Sequence, residues 1–151
     1  MAPYPELELS VKTRVYPSES QEKVEQAIKN IFPEVNLEVE QNERGEKYLF
    51  GTKKGGASIL KKFYIQLRSQ RILDVVRKKL IGNMVGETTA ILLHKQAAFM
   101  SKVNFCDFED VGPLGGIEVA ITSSDIQTVI DWLAPQTVKG KEVKMVTDIQ
   151  F

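Results

Sequence analysis

The sequence predicts an α+β fold in a single domain, residues 1–151, with a mixed β-sheet and helices packed mainly on one face. Three observations predict it. Several stretches alternate apolar and polar residues with the period of a half-buried strand. Others carry an apolar stripe at helical spacing and stop at proline. The order of elements, roughly β-α-β-β-α-α-β-β-β-α-β, combines hairpins with helical crossovers. Such a sheet keeps its second face free to meet a partner.

The elements follow in order. Leu7, Leu9, Val11, Thr13 and Val15 alternate with Glu8, Ser10, Lys12 and Arg14, which predicts a strand. Ser18 and Gln21 have the spacing of a capping box, opening a helix whose stripe is Val24, Ala27, Ile28 and Ile31 and which ends at Pro33. Val35, Leu37 and Val39 alternate again, and a turn at Glu43-Arg44-Gly45 returns the chain through Lys47 to Gly51 as a hairpin. After Gly55-Gly56 come two stripes, Ile59, Leu60, Phe63, Leu67 and Ile72, Leu73, Val76, Leu80, read as two helices or one helix kinked near Ser69. Thr88 to Leu93 and Lys102 to Phe105 read as strands, with Ala97-Ala98-Phe99 open between them. Asp107 to Gly116 reads as a loop, and Ile117, Val119 and Ile121 as a strand. Ser124 with Gln127 repeats the capping spacing before Ile126, Val129, Ile130 and Leu133, ending at Pro135, and Trp132 lies beside that stripe. A last strand is expected from Glu142 to Val146, with residues 1–6 and 147–151 as loosely ordered ends.

The charge is distributed unevenly. Net charge is zero, yet residues 53 to 102 hold 11 Lys and Arg against only Asp74 and Glu87, and the remainder is correspondingly acidic. Polarisation of that kind bears on partners rather than on fold. No stretch approaches the ~20 apolar residues that span a bilayer, and the N-terminus lacks the basic and apolar regions of a signal peptide, so no membrane role and a cytoplasmic location are expected. Cys106 is the single cysteine and His94 the single histidine, which excludes an internal disulfide and a Cys- or His-rich metal site. Neither belongs to a recognisable nucleophile–base motif, so no enzyme and no cofactor are expected.

Val15-Tyr16-Pro17-Ser18-Glu19, Ala27-Ile28-Lys29-Asn30-Ile31-Phe32-Pro33, Leu67-Arg68-Ser69-Gln70-Arg71-Ile72-Leu73-Asp74, Lys95-Gln96-Ala97-Ala98, Val103-Asn104-Phe105 and Asp131-Trp132-Leu133-Ala134-Pro135 together resemble an archaeal family of uncharacterised proteins, UPF number 0201. The resemblance runs from about Leu7 to Val143 and departs from the family at His94, where Asn is expected, and at Met100-Ser101. It implies a fold similar to that of the ribosomal protein that binds 5S rRNA. RNA binding carried over from that relative is an analogy of fold alone.

The leading expectation is therefore an RNA-binding or ribonucleoprotein-associated protein. Its contacts would come from solvent-side Lys61, Lys62, Arg68, Arg71, Arg77, Lys78 and Lys79 on the central helices, with Lys95, Gln96 and Lys102. The plain alternative for the cations is a solvated helix face. For Lys95-Gln96 it is a buried glutamine closing backbone hydrogen bonds at a strand irregularity. Lys53-Lys54-Gly55-Gly56 reads as a loop or an anion seat, and Asp107, Glu109 and Asp110 as an acidic turn rather than a metal site. The competing class is a homodimer or protein-interaction module in which the basic middle meets acidic ends.

Overall fold

The computed structural model describes residues 6–107, 115–138 and 141–142. Strand β1, Leu7–Val15, alternates as its sequence predicts, and Leu7, Leu9, Val11, Thr13 and Val15 are all buried. It lies at the middle of a six-stranded sheet between β3, Lys47–Gly55, and β6, Gly116–Thr122. Val11 faces Gly51 on one side and Val119 on the other, and Val11 and Val119 are 1% and 0% exposed. Outside them come β2, Glu38–Gln41, next to β3, and β4, Thr88–His94, next to β6, with the two-residue β5, Phe105–Cys106, beyond β4. The α+β class is as expected, but every pair in this sheet is antiparallel rather than mixed. The crossovers do return β2 and β4 in the direction of β1. An antiparallel strand, β3 or β6, is then inserted between each and β1, so no parallel neighbours arise.

The helices cover the face that bears Leu9, Val11, Val119 and Ile91. Helix α1, Gln21–Ile31, starts two residues later than the Ser18 box predicts. Glu19 N donates to Tyr16 O and Tyr16 N to Glu19 Oε1, which completes a turn first and leaves Ser20 as the cap, accepting from Lys23 N. After a 3₁₀ turn at Ala57–Leu60, α2, Lys61–Ser69, and α3, Leu73–Gly82, are separate helices. The break falls at Arg71, whose φ of +57° closes a turn in which Ile72 N donates to Leu67 O.

Ala97-Ala98-Phe99, left open by the sequence, belong with Lys95 and Gln96 to a short helix α4, Lys95–Phe99. Helix α5, Ile126–Leu133, lacks the expected Ser124 box. Ser123 Oγ accepts from Asp125 N, Asp125 stands at the cap without a side-chain bond, and Gln127 donates to Asp131 instead. Trp132, beside the apolar stripe in the sequence, packs at the edge of the core, buried and stacked on Tyr64 with ring centroids 4.9 Å apart. The short strand after α4 begins at Phe105 rather than Lys102, because Val103 bonds to a side chain. A separate ribbon pairs β7, Thr137–Val138, with β8, Lys141–Glu142. The expected strand beyond Glu142, most of the loop after Asp107, and the two chain ends fall outside the described residues.

Candidate nucleic-acid interface

The basic middle of the chain divides into cations that hold the fold together and cations that face solvent. Arg68 lies over the Tyr64 ring, 3.4 Å from its centroid, and donates to Leu133 O and Trp132 O at 3.1 and 3.3 Å. Arg77, one turn into α3, donates to Asp131 Oδ1 at 2.9 Å and Ala134 O at 3.1 Å. Both arginines therefore satisfy carbonyls at the C-terminal end of α5, where free acceptors and the helix dipole favour a positive charge. Lys79 reaches Asp107 at 3.1 Å.

Lys95 is the most enclosed of the candidates, 6% exposed. Its ammonium donates to Arg14 O at 2.6 Å and to Glu19 Oε1 at 2.9 Å, beside the Tyr16 ring. Burial holds its pKa below the ordinary value near 10.5, and the Glu19 carboxylate works against that shift. Arg14 itself pairs with Glu46 at 3.0 Å and lies over Tyr16. Hydrogen bonding from Asn42, with the Arg14 charge nearby, keeps the Glu46 carboxyl below its usual range.

Lys61, Lys62, Arg71, Lys78, Gln96 and Lys102 are exposed. The helices also present Ile65 and Val75, 52% and 48% exposed, with Val75 three residues before Lys78 on α3. Along the opposite face of the sheet the described residues alternate Glu8, Glu38, Glu40 and Glu118 with Lys12, Arg14 and Lys54, and Lys54 pairs with Glu8 at 3.6 Å. On the helical side the exposed cations stand with exposed carboxylates too, Glu22, Asp74 and Asp125 among them. Lys53 and Lys54 belong to β3, not to a loop.

Several roles escape the sequence. The glutamine that closes backbone hydrogen bonds is Gln70, not Gln96: its Nε2 donates to Val103 O at 2.8 Å and its Oε1 accepts from Val103 N at 2.7 Å. Gln96 points to solvent. His94 is the N-cap of α4, accepting from Ala97 N at its Nδ1. A short polar acceptor before Lys95-Gln96-Ala97-Ala98 could have signalled this, since the Asn expected at that position is among the preferred N-caps. Among the described residues no cluster of three His, Cys, Asp or Glu is arranged for a metal, and no helix is long and apolar enough to cross a membrane.

Residues 8–123 match a family model described as RNA binding. A UPF0201 protein of Sulfurisphaera tokodaii is 42% identical over 130 residues, covering 86% of this chain and 88% of its own. One of Metallosphaera sedula is 38% identical over 131 residues, covering 87% and 90%. The crystal structure of the UPF0201 protein of Methanococcus jannaschii superposes with a TM-score of 0.81 at 34% identity, covering 91% of this chain and 99% of that one.

Proposed function

Because the chain belongs to the archaeal UPF0201 family, we propose that it is a non-enzymatic cytoplasmic protein that binds structured RNA or a ribonucleoprotein through the helical side of the molecule. The observation that carries this reading is the sorting of the basic residues. Arg68, Arg77, Lys79 and Lys95 are taken up by the fold. Lys62, Arg71, Lys78 and Lys102 are exposed, without a side-chain partner among the described residues, and are available for phosphates, with Gln96 able to reach a base edge. The description of the family model as RNA binding supports the same assignment. His94 is engaged as a helix cap, accepting from Ala97 N at its Nδ1, which supports a structural part for the single histidine.

A second reading rests on Ile65 and Val75, whose exposure on the helices also suits self-association. Filter binding of a structured RNA across a salt series tests the first against the second. Replacing Lys62, Arg71 and Lys78 together by Ala is expected to weaken binding and to lower the log-affinity against log-salt slope by about 0.7 to 0.9 per lost contact. Unchanged affinity and slope, with dimers seen by light scattering in the absence of RNA, would favour self-association.

A further inference from the structure

Between α1 and α4 lies a groove of about 530 Å³ whose walls include Val24, Ala27, Phe99 and Met100, with Lys23 and Gln96 at its rim. Phe99 and Met100 are 41% and 70% exposed there, an unusual position for two large apolar side chains. They are held out by an ordered backbone. Asn30 Nδ2, on α1, donates to Ala98 O at 3.1 Å and Phe99 O at 3.0 Å. Met100 N bonds Ala97 O at 3.0 Å, Ser101 N bonds Ala98 O at 2.9 Å, and Lys102 N bonds Ala97 O at 2.8 Å. Ser101 takes φ of +60° to complete the turn, a conformation that persists in a non-glycine residue only where its surroundings impose it. The apolar lip is therefore part of the fixed fold.

The charges around the groove are also sorted. On α1, Lys23 lines this side, whereas the carboxylates Glu22 and Glu25 line a different depression together with Lys29. The one carboxylate in the groove wall, Glu19, is neutralised by Lys95 at 2.9 Å. The Gln96 carboxamide, exposed, has no protein partner among the described residues. An apolar floor with a ring to stack on, an amide that can both donate and accept, and a cation at the rim match an unpaired nucleobase with its phosphate.

We propose that this groove takes a single unpaired base of the bound RNA, stacked on Phe99 and Met100, with Gln96 on its hydrogen-bonding edge and Lys23 on the adjoining phosphate. The proposal rests on the RNA-binding reading above and deepens it, giving Gln96 a base to meet and adding Lys23, Phe99 and Met100 to the contact. An apolar segment of a protein partner would fill the same floor but would bring no phosphate to Lys23.

The test compares two RNA hairpins of one stem sequence, one with a bulged 2-aminopurine and one fully paired, binding to the full-length chain. The wild type is expected to bind the bulged hairpin more tightly and to alter 2-aminopurine fluorescence. Phe99→Ala is expected to lose roughly 5- to 100-fold in affinity for the bulged hairpin, with the salt slope and the paired-hairpin affinity unchanged. Met100→Ala, at a still more exposed position, serves as a second variant, and wild-type melting of both confirms the fold. Gln96→Ala is expected to reduce discrimination among bases at the bulge. Equal affinity of the wild type for the two hairpins, or loss of both alike in Phe99→Ala, would overturn the groove while leaving RNA binding in place. Binding of neither hairpin would remove both.

Discussion

Lys95 shows how differently one residue reads in sequence and in space. As part of Lys95-Gln96 it looks like a phosphate contact, yet its ammonium is shared between Glu19 and the carbonyl of Arg14 in a nearly dry site. Removing it would leave the Glu19 carboxylate, 10% exposed, without its counter-charge. Lys95→Ala is therefore expected to destabilise the fold by about 3–5 kcal/mol, measured by denaturant unfolding, and replacing Glu19 by Gln in the same chain should recover part of the loss. The pH dependence has a definite sign. The folded state loses the Lys95 proton at a lower pH than the unfolded chain, whose lysine titrates near 10.5. Between those two values the unfolded chain binds more protons, so the stability difference between wild type and Lys95→Ala should widen as pH rises. Near neutrality it should be flat.

Arg71 is the opposite case, exposed and costly to the backbone. Its φ of +57° is one that glycine adopts freely and an arginine does not. Arg71→Gly is expected to raise stability by about 1 kcal/mol while weakening RNA binding in a filter assay. A gain in stability with no loss of affinity would identify Arg71 as a turn residue only.

At the scale of elements, α5 depends on residues far away in the chain. Its apolar stripe is plain in the sequence, but its C-terminal carbonyls are satisfied by Arg68 on α2 and Arg77 on α3, and its Asp131 is the partner of Arg77. Arg77→Ala is expected to cost about 1.5–3 kcal/mol in thermal or denaturant unfolding, because a hydrogen-bonded charge pair loses one member. If Arg77 were instead a free phosphate contact, the same change would lower RNA affinity and leave melting unaltered. Gln70 plays a comparable part, pinning Val103 and so ending the approach to β5. Such bonds span 33 residues or more in the chain, which is why a spacing rule confined to neighbouring residues assigned the buried glutamine to Gln96.

For the molecule as a whole, the bare face of the sheet mixes carboxylates and cations, and Lys62, Arg71, Lys78 and Lys102 are exposed outside it. Because Lys62, Arg71 and Lys78 are exposed and without a side-chain partner among the described residues, their triple variant should melt close to the wild type even as its RNA affinity falls. Coincident loss of stability would place those side chains among the structural cations.

The sequence by itself determined most of the elements with a periodic apolar pattern: β1, β6, α1 and α5 stand where their stripes predict, and α2 and α3 hold theirs from Phe63 and Leu73 on, because burial rewards that periodicity directly. The alternation of Val35, Leu37 and Val39 did not suffice, since β2 is only Glu38–Gln41 and Val39 is exposed. The sequence also determined that positive charge collects in the middle of the chain. Only the tertiary structure decided which strands became neighbours, that Trp132 is buried, that His94 caps α4, and which cations remain available to a partner. The physical reason is the same in each instance. Apolar burial is written into local spacing, whereas the partner of a polar or charged group is set by whatever segment the fold brings within about 3 Å of it.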